Sequence, residues 1–180
     1  QNCHEDQNYG AQTGFVNARM LKNVGAQFVI VGHSENRAKG ENDKLINKKI
    51  KNALKANLKV IFCIGETLSE KNKNKTKSVI SKQISVGLNK ISNKSNIFLA
   101  YEPVWAIGSG IIPKSKDLQK IVEFIKTKFI YKSPKVLYGG SVNPENIKDL
   151  KKVSSIDGFL IGGASQNAKK FIDIVKKTYS

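Results

Sequence analysis

Short, near-continuous apolar runs punctuate the chain at Phe28-Val29-Ile30-Val31, Val60-Ile61-Phe62-Cys63-Ile64, Ile97-Phe98-Leu99-Ala100-Tyr101, Val136-Leu137-Tyr138 and Phe159-Leu160-Ile161. A run without polar alternation predicts a strand buried on both faces, as in a parallel sheet covered by helices. Between the runs the apolar spacing becomes helical. Ile46, Ile50, Ala53 and Leu54 mark a helix from Asp43 to Lys55, and Ile80, Ile84, Gly87, Leu88 and Ile91 mark the next. Leu118, Ile121, Val122, Ile125 and Phe129 predict a third, with Ser115 as its N-cap. Ile147 and Leu150 suggest a short helix with Pro144 in its first turn, and Ala168, Phe171, Ile172 and Val175 mark the last.

Strand and helix alternating in this way predict an α/β fold with parallel connections. An open doubly wound sheet and a closed (β/α)8 barrel both fit. No G-x-G-x-x-G opens a helix, which weakens the dinucleotide-binding form. A complete barrel takes roughly 250 residues and eight strands. With 180 residues, the expectation is one domain over residues 1–180, about a quarter short as a barrel.

Composition narrows the partners. Lys and Arg number 31 against 14 Asp and Glu, for a net charge of +17. The excess is almost all Lys, spread along the chain, and only Arg19 and Arg37 are Arg, the usual residue for bidentate reading of bases and phosphates. The charge therefore predicts a lysine-rich exterior and no nucleic-acid partner. No apolar run approaches the ~20 residues that cross a bilayer, so no membrane span is expected. The start, Gln1-Asn2-Cys3-His4-Glu5-Asp6, has no basic segment leading into an apolar one, so no signal peptide is expected. It also lacks Met, the first hint of a piece of a longer chain. Two cysteines, Cys3 and Cys63, build no disulfide framework, and a reducing cytoplasm is the expected location.

Parallel α/β folds build their sites at strand C-termini. His33 stands there in Gly32-His33-Ser34-Glu35, and Glu102 in Tyr101-Glu102-Pro103-Val104-Trp105. A lone His is usually structural. A carboxylate at the end of a buried strand is costly unless it is paired or used. Together the two suit general acid–base chemistry. Gly139-Gly140 and Gly162-Gly163 follow the last two strands, and peptides without Cβ atoms can approach an oxyanion closely. Ser141 can add a hydroxyl donor. A single such pair is usually just a turn, but two on successive strands point to a phosphate site. Ala106-Ile107-Gly108-Ser109-Gly110, between Pro103 and Pro113, predicts either a lid with stiffened ends or an ordinary connecting loop.

The segment Ala100-Tyr101-Glu102-Pro103-Val104-Trp105-Ala106-Ile107-Gly108-Ser109-Gly110 closely resembles the signature of the triosephosphate isomerase family. So do Gly32-His33-Ser34-Glu35, Cys63-Ile64-Gly65-Glu66, Tyr138-Gly139-Gly140-Ser141-Val142 and Asp157 to Ser165, in order and at fitting spacings. The resemblance implies a TIM barrel whose first two strands and most of the third lie outside this chain, with Gln1-Asn2-Cys3 ending the third. It implies interconversion of dihydroxyacetone phosphate and glyceraldehyde 3-phosphate through an enediolate, in glycolysis and gluconeogenesis, with no metal and no cofactor. By the same resemblance Glu102 is the base. His33, as a neutral imidazole, polarises the carbonyl and shuttles protons between the oxygens. Gly108, Gly162, Gly163 and Ser141 hold the phosphate, and Glu35 orients the site from outside it. These are the roles known in triosephosphate isomerases.

Members are usually homodimers, and the loop with Thr13 is the part that reaches a partner. The family's Asn and Lys near the first strand would lie outside the chain, so this polypeptide alone is expected to fold poorly or be inactive. A non-catalytic fragment or a phosphate-binding module is the alternative. Three departures from the family pattern stand out. Asn36 replaces the first of two arginines, and Phe15 a Glu that pairs with it, a compensated change on the dimer-facing surface. Ile111-Ile112-Pro113 replaces the usual end of the lid, and Ser109 a Thr.

Overall fold

The computed structural model describes residues 1–6, 10–130 and 132–179. Five strands, β1 (Phe28–Val31), β2 (Lys59–Ile64), β3 (Ile97–Tyr101), β4 (Val136–Tyr138) and β5 (Gly158–Phe159), pair in parallel and in sequence order. Register aligns Val31 with Phe62, Ile64 with Tyr101 and Tyr138 with both Tyr101 and Phe159, so β2 to β5 end level with one another and β1 ends two residues short of them. This alignment brings His33, Glu102, Ser141 and Gly162 to one end of the sheet.

The strands form where β-branched and aromatic residues recur without a polar face. Val31, Val60, Phe62, Leu99 and Tyr138 are all fully buried. The helices α1 (Ala18–Asn23), α2 (Ser34–Ala38), α3 (Asp43–Lys55), α4 (Leu68–Asn72), α5 (Thr76–Gly87), α6 (Ser115–Lys126), α7 (Ile147–Lys151) and α8 (Ala168–Tyr179) connect them, with two 3-10 turns at Val104–Ala106 and Gly163–Gln166. Ile46, Ile50 and Ala53 of α3, Ile80 of α5, and Leu118, Val122 and Ile125 of α6 complete one core cluster against the strands. Burying each of the larger side chains contributes about 1.5–3 kcal/mol. Asn42 starts α3 by accepting the Leu45 N–H.

The predicted strands all form, and the helical patterns fall on α3, α5, α6, α7 and α8, with differences at their ends. Ser115 is the first residue of α6 rather than its cap; Lys114 holds the cap position without a side-chain bond. Pro144 lies in the turn before α7, whose N-cap is Asn146. Ile91 is buried but lies beyond the end of α5, and Phe129 beyond the end of α6. β5 is only two residues long, so Leu160 and Ile161 follow it as irregular backbone. In α8 the expected apolar face is largely bare, with Phe171, Ile172 and Val175 exposed and Ile174 buried instead. α8 packs on α7 and on the 3-10 turn Gly163–Gln166, beyond β5, an edge of the sheet that has β4 on one side only.

Candidate active site

β1 ends at Val31, and the chain turns at Gly32, where φ is +77°. Arg37 pins this turn. Its Nε donates to the Gly32 carbonyl at 2.7 Å, one Nη to the Cys63 carbonyl at 3.2 Å, and the other pairs with Asp43 at 2.6 Å. The ends of β1 and β2 and the start of α3 are thereby tied to one guanidinium.

His33 follows the turn as the N-cap of α2, with Nδ1 accepting the Glu35 N–H at 3.3 Å. An Nδ1 that accepts carries no hydrogen, so the neutral ring presents an N–H at Nε2. Nε2 lies 3.6 Å from Oε1 of Glu102, close enough for both to touch one small molecule but too long for a direct hydrogen bond.

Glu102 directly follows β3, its N–H bonded to the Ile64 carbonyl at 2.8 Å. The residue is 3% exposed, and its buried Oε2 accepts no hydrogen bond. Burial pushes its carboxyl up to about 7, a rise moderated by the Cys63 thiol, the Ser34 N–H and the Arg37 charge and increased by Glu35. A carboxylate poised near neutral pH with a free oxygen is a competent base.

Room for that carboxylate comes from Gly139. A Cβ there would stand 2.7 Å from Cγ of Glu102, and one on Gly140 would stand 2.1 Å from the Tyr138 hydroxyl. Gly139-Gly140 is therefore not the phosphate cradle its sequence suggested, because its open side is filled by the chain's own Glu102 and Tyr138. Gly139→Ala displaces the base, and a misplacement of about 1 Å lowers kcat about 10²-fold with the fold retained. Steady-state kinetics beside a thermal melt checks this.

Gly162 and Gly163 differ: a Cβ on either would meet nothing within 4 Å, and both face a cavity of about 710 Å³. The same cavity is lined by His33, Glu35, Glu102, Gly108 and Ser141, so one hollow collects every predicted site residue. Ser141 enters it differently from expectation. Its hydroxyl donates to the Ala106 carbonyl at 2.6 Å and accepts the Gly110 N–H at 3.1 Å. That hydrogen is spent on the segment 106–110, so Ser141 latches the segment and is not a free donor here. Glu35 lies exposed at the rim.

Glu66 is the residue sequence reasoning passed over. It is 1% exposed and accepts from the Tyr101 hydroxyl at 3.2 and 3.3 Å and from the Trp105 indole N–H at 2.9 Å. Its carbonyl also takes the Val104 N–H at 3.0 Å. The signal was its place just after a buried strand, the same criterion that selects His33 and Glu102. Elsewhere, Phe15 and Asn36 line one cavity of about 460 Å³.

The family model of triosephosphate isomerase matches residues 1–178. The triosephosphate isomerase of Thermodesulfovibrio yellowstonii is 46% identical over 177 residues, which cover 94% of this chain and 72% of that protein. The Mycoplasma mobile enzyme is 45% identical over 177 residues, 98% of this chain and 72% of its own. The crystal structure of triosephosphate isomerase from Bartonella henselae matches with a TM-score of 0.90 at 38% identity, covering all of this chain and 75% of that one.

Proposed function

Because the chain belongs to the triosephosphate isomerase family, we propose that Glu102 and His33 are the catalytic pair for its reaction, the interconversion of dihydroxyacetone phosphate and glyceraldehyde 3-phosphate. Glu102 removes a proton from one carbon of the substrate and returns it to the neighbouring carbon. The Nε2–H of His33 polarises the carbonyl oxygen and relays a proton between the two oxygens of the enediolate. The phosphate lies at the other end of the cavity, on the backbone N–H groups of Gly162, Gly163 and Gly108. Ser141 supports it by holding the lid down, and Glu35 orients the site from the rim. No metal or cofactor enters the scheme.

One observation carries this reading. Glu102, buried and with one carboxylate oxygen unpartnered, lines one cavity with His33, whose Nε2 stands 3.6 Å from Glu102 Oε1, and with two glycines whose Cβ side is open. Closure of the lid removes water, which strengthens each of these interactions. Phe15 and Val16, both exposed beside the loop that contains Thr13, support a homodimer. No described helix is long and apolar enough to cross a membrane. We place the reaction in the cytoplasm, in keeping with two free buried thiols.

The test is exchange. With dihydroxyacetone phosphate in D2O, the complete protein, the parent for every variant here, forms glyceraldehyde 3-phosphate carrying deuterium next to the carbonyl, and Glu102→Gln abolishes the label. Binding of glycerol 3-phosphate with no exchange by the parent protein would overturn the catalytic assignment and mark a phosphate-binding module.

A further inference from the structure

Trp105 is the chain's one tryptophan and sits in the 3-10 turn that begins the lid. Its indole edge is bonded to the buried Glu66, and its face carries the ammonium of Lys71, with Nζ 3.3 Å from the ring centroid. The other charges on aromatic rings here lie farther out, at 4.1 to 5.2 Å. Lys71 is not there by chance of a floppy loop. It lies in the last turn of α4, where a cation suits the helix dipole, and α4 is set by a capping box between Thr67 and Glu70. Behind Trp105 a cavity of about 390 Å³ is bounded by Lys71, Glu66 and the far limb of the lid, Ile111 to Pro113. A displacement of the indole therefore opens onto the space that the lid's second limb closes.

We propose that Lys71 is a positioning residue for the lid: its ammonium, stacked on the face of Trp105 while Glu66 holds the edge, keeps the indole in the orientation that lets 106–110 latch onto Ser141. The proposal rests on the cavity assigned above as the substrate site. An exposed ammonium over an indole shifts a two-state equilibrium about two- to fivefold. Its loss lowers the latched fraction, and with it the apparent affinity for phosphorylated ligands, by that factor. The chemistry of Glu102 and His33 is untouched, so the effect appears in KM rather than in kcat.

The sole tryptophan makes the test direct. Three proteins are compared: the parent, Lys71→Met, which keeps the stem over the ring and removes the charge, and Lys71→Arg, which keeps the charge. Lys71 is exposed, so each variant folds, and a thermal melt verifies it. In Lys71→Met, acrylamide quenching of Trp105 without ligand rises, and the dissociation constant for glycerol 3-phosphate rises two- to fivefold; Lys71→Arg restores both. Either quantity at its parental value in Lys71→Met overturns the proposal. A parent protein that fails to bind glycerol 3-phosphate would instead overturn the reading of the cavity, and quenching alone would then decide whether Lys71 holds Trp105.

Discussion

Glu102→Gln lowers kcat by about 10³- to 10⁴-fold while KM changes severalfold at most. The amide matches the carboxylate in shape, fits beneath Gly139, and cannot accept a carbon-bound proton. Glu102→Asp is the milder companion. It keeps the base and draws it back by one methylene, so its loss falls on kcat far more than on KM. A glutamine variant with parental kcat would remove Glu102 from the reaction.

The same residue sets a pH dependence in two quantities of opposite sense. As a base, Glu102 works ionised, so kcat/KM falls as pH drops through about 7. For stability, its carboxyl is raised from a usual 4.5 to about 7 by burial, so folding favours the protonated form. The cost of the ionised group is absent below about pH 4.5, grows between 4.5 and 7, and is complete above that, at about 3 kcal/mol. Glu102→Gln therefore melts at a higher temperature than the parent at pH 8, and the difference disappears near pH 4. The gain in stability on losing the base is what a strained, functional burial requires.

Much of this arrangement is written locally. Phe62 and Leu99 lie in runs with no polar face, because both sides of their strands are covered, and such runs stand out without any tertiary information. The short helices left a weaker trace. α4 has a complete capping box at Thr67 and Glu70, yet its one turn offers no apolar period; α2 is equally short and α1 one residue longer. At the site, His33 and Glu102 are legible as polar residues ending buried strands. The use of Gly139, Gly140 and Ser141 is not, because each depends on what another strand or the lid brings against it. A glycine pair that leaves room for a neighbouring side chain and one that leaves room for a ligand look alike in sequence. Only the Cβ positions, crowded at Gly139 and open at Gly162, separate them.

His33→Gln lowers kcat by about 10²- to 10³-fold with KM little changed, the loss of one well-placed donor to developing charge. Gln also cannot reproduce the bond from the Glu35 N–H to Nδ1, so α2 loses its cap at a cost of about 1 kcal/mol, visible as a slightly lower Tm. The variant separates the two titratable partners. The upward push on Glu102 comes from burial and, to a smaller degree, from Glu35, while Cys63, Ser34 and Arg37 oppose it; the ring of His33 is not among these causes. The residual kcat/KM of His33→Gln therefore keeps the parent's acid limb near pH 7, at a uniformly reduced height. An acid limb that vanishes with the imidazole would assign the titration to His33 and take the base's ionisation away from Glu102. A limb that survives in His33→Gln and is lost in Glu102→Gln ties it to the carboxylate whose Oε2 is left without a partner.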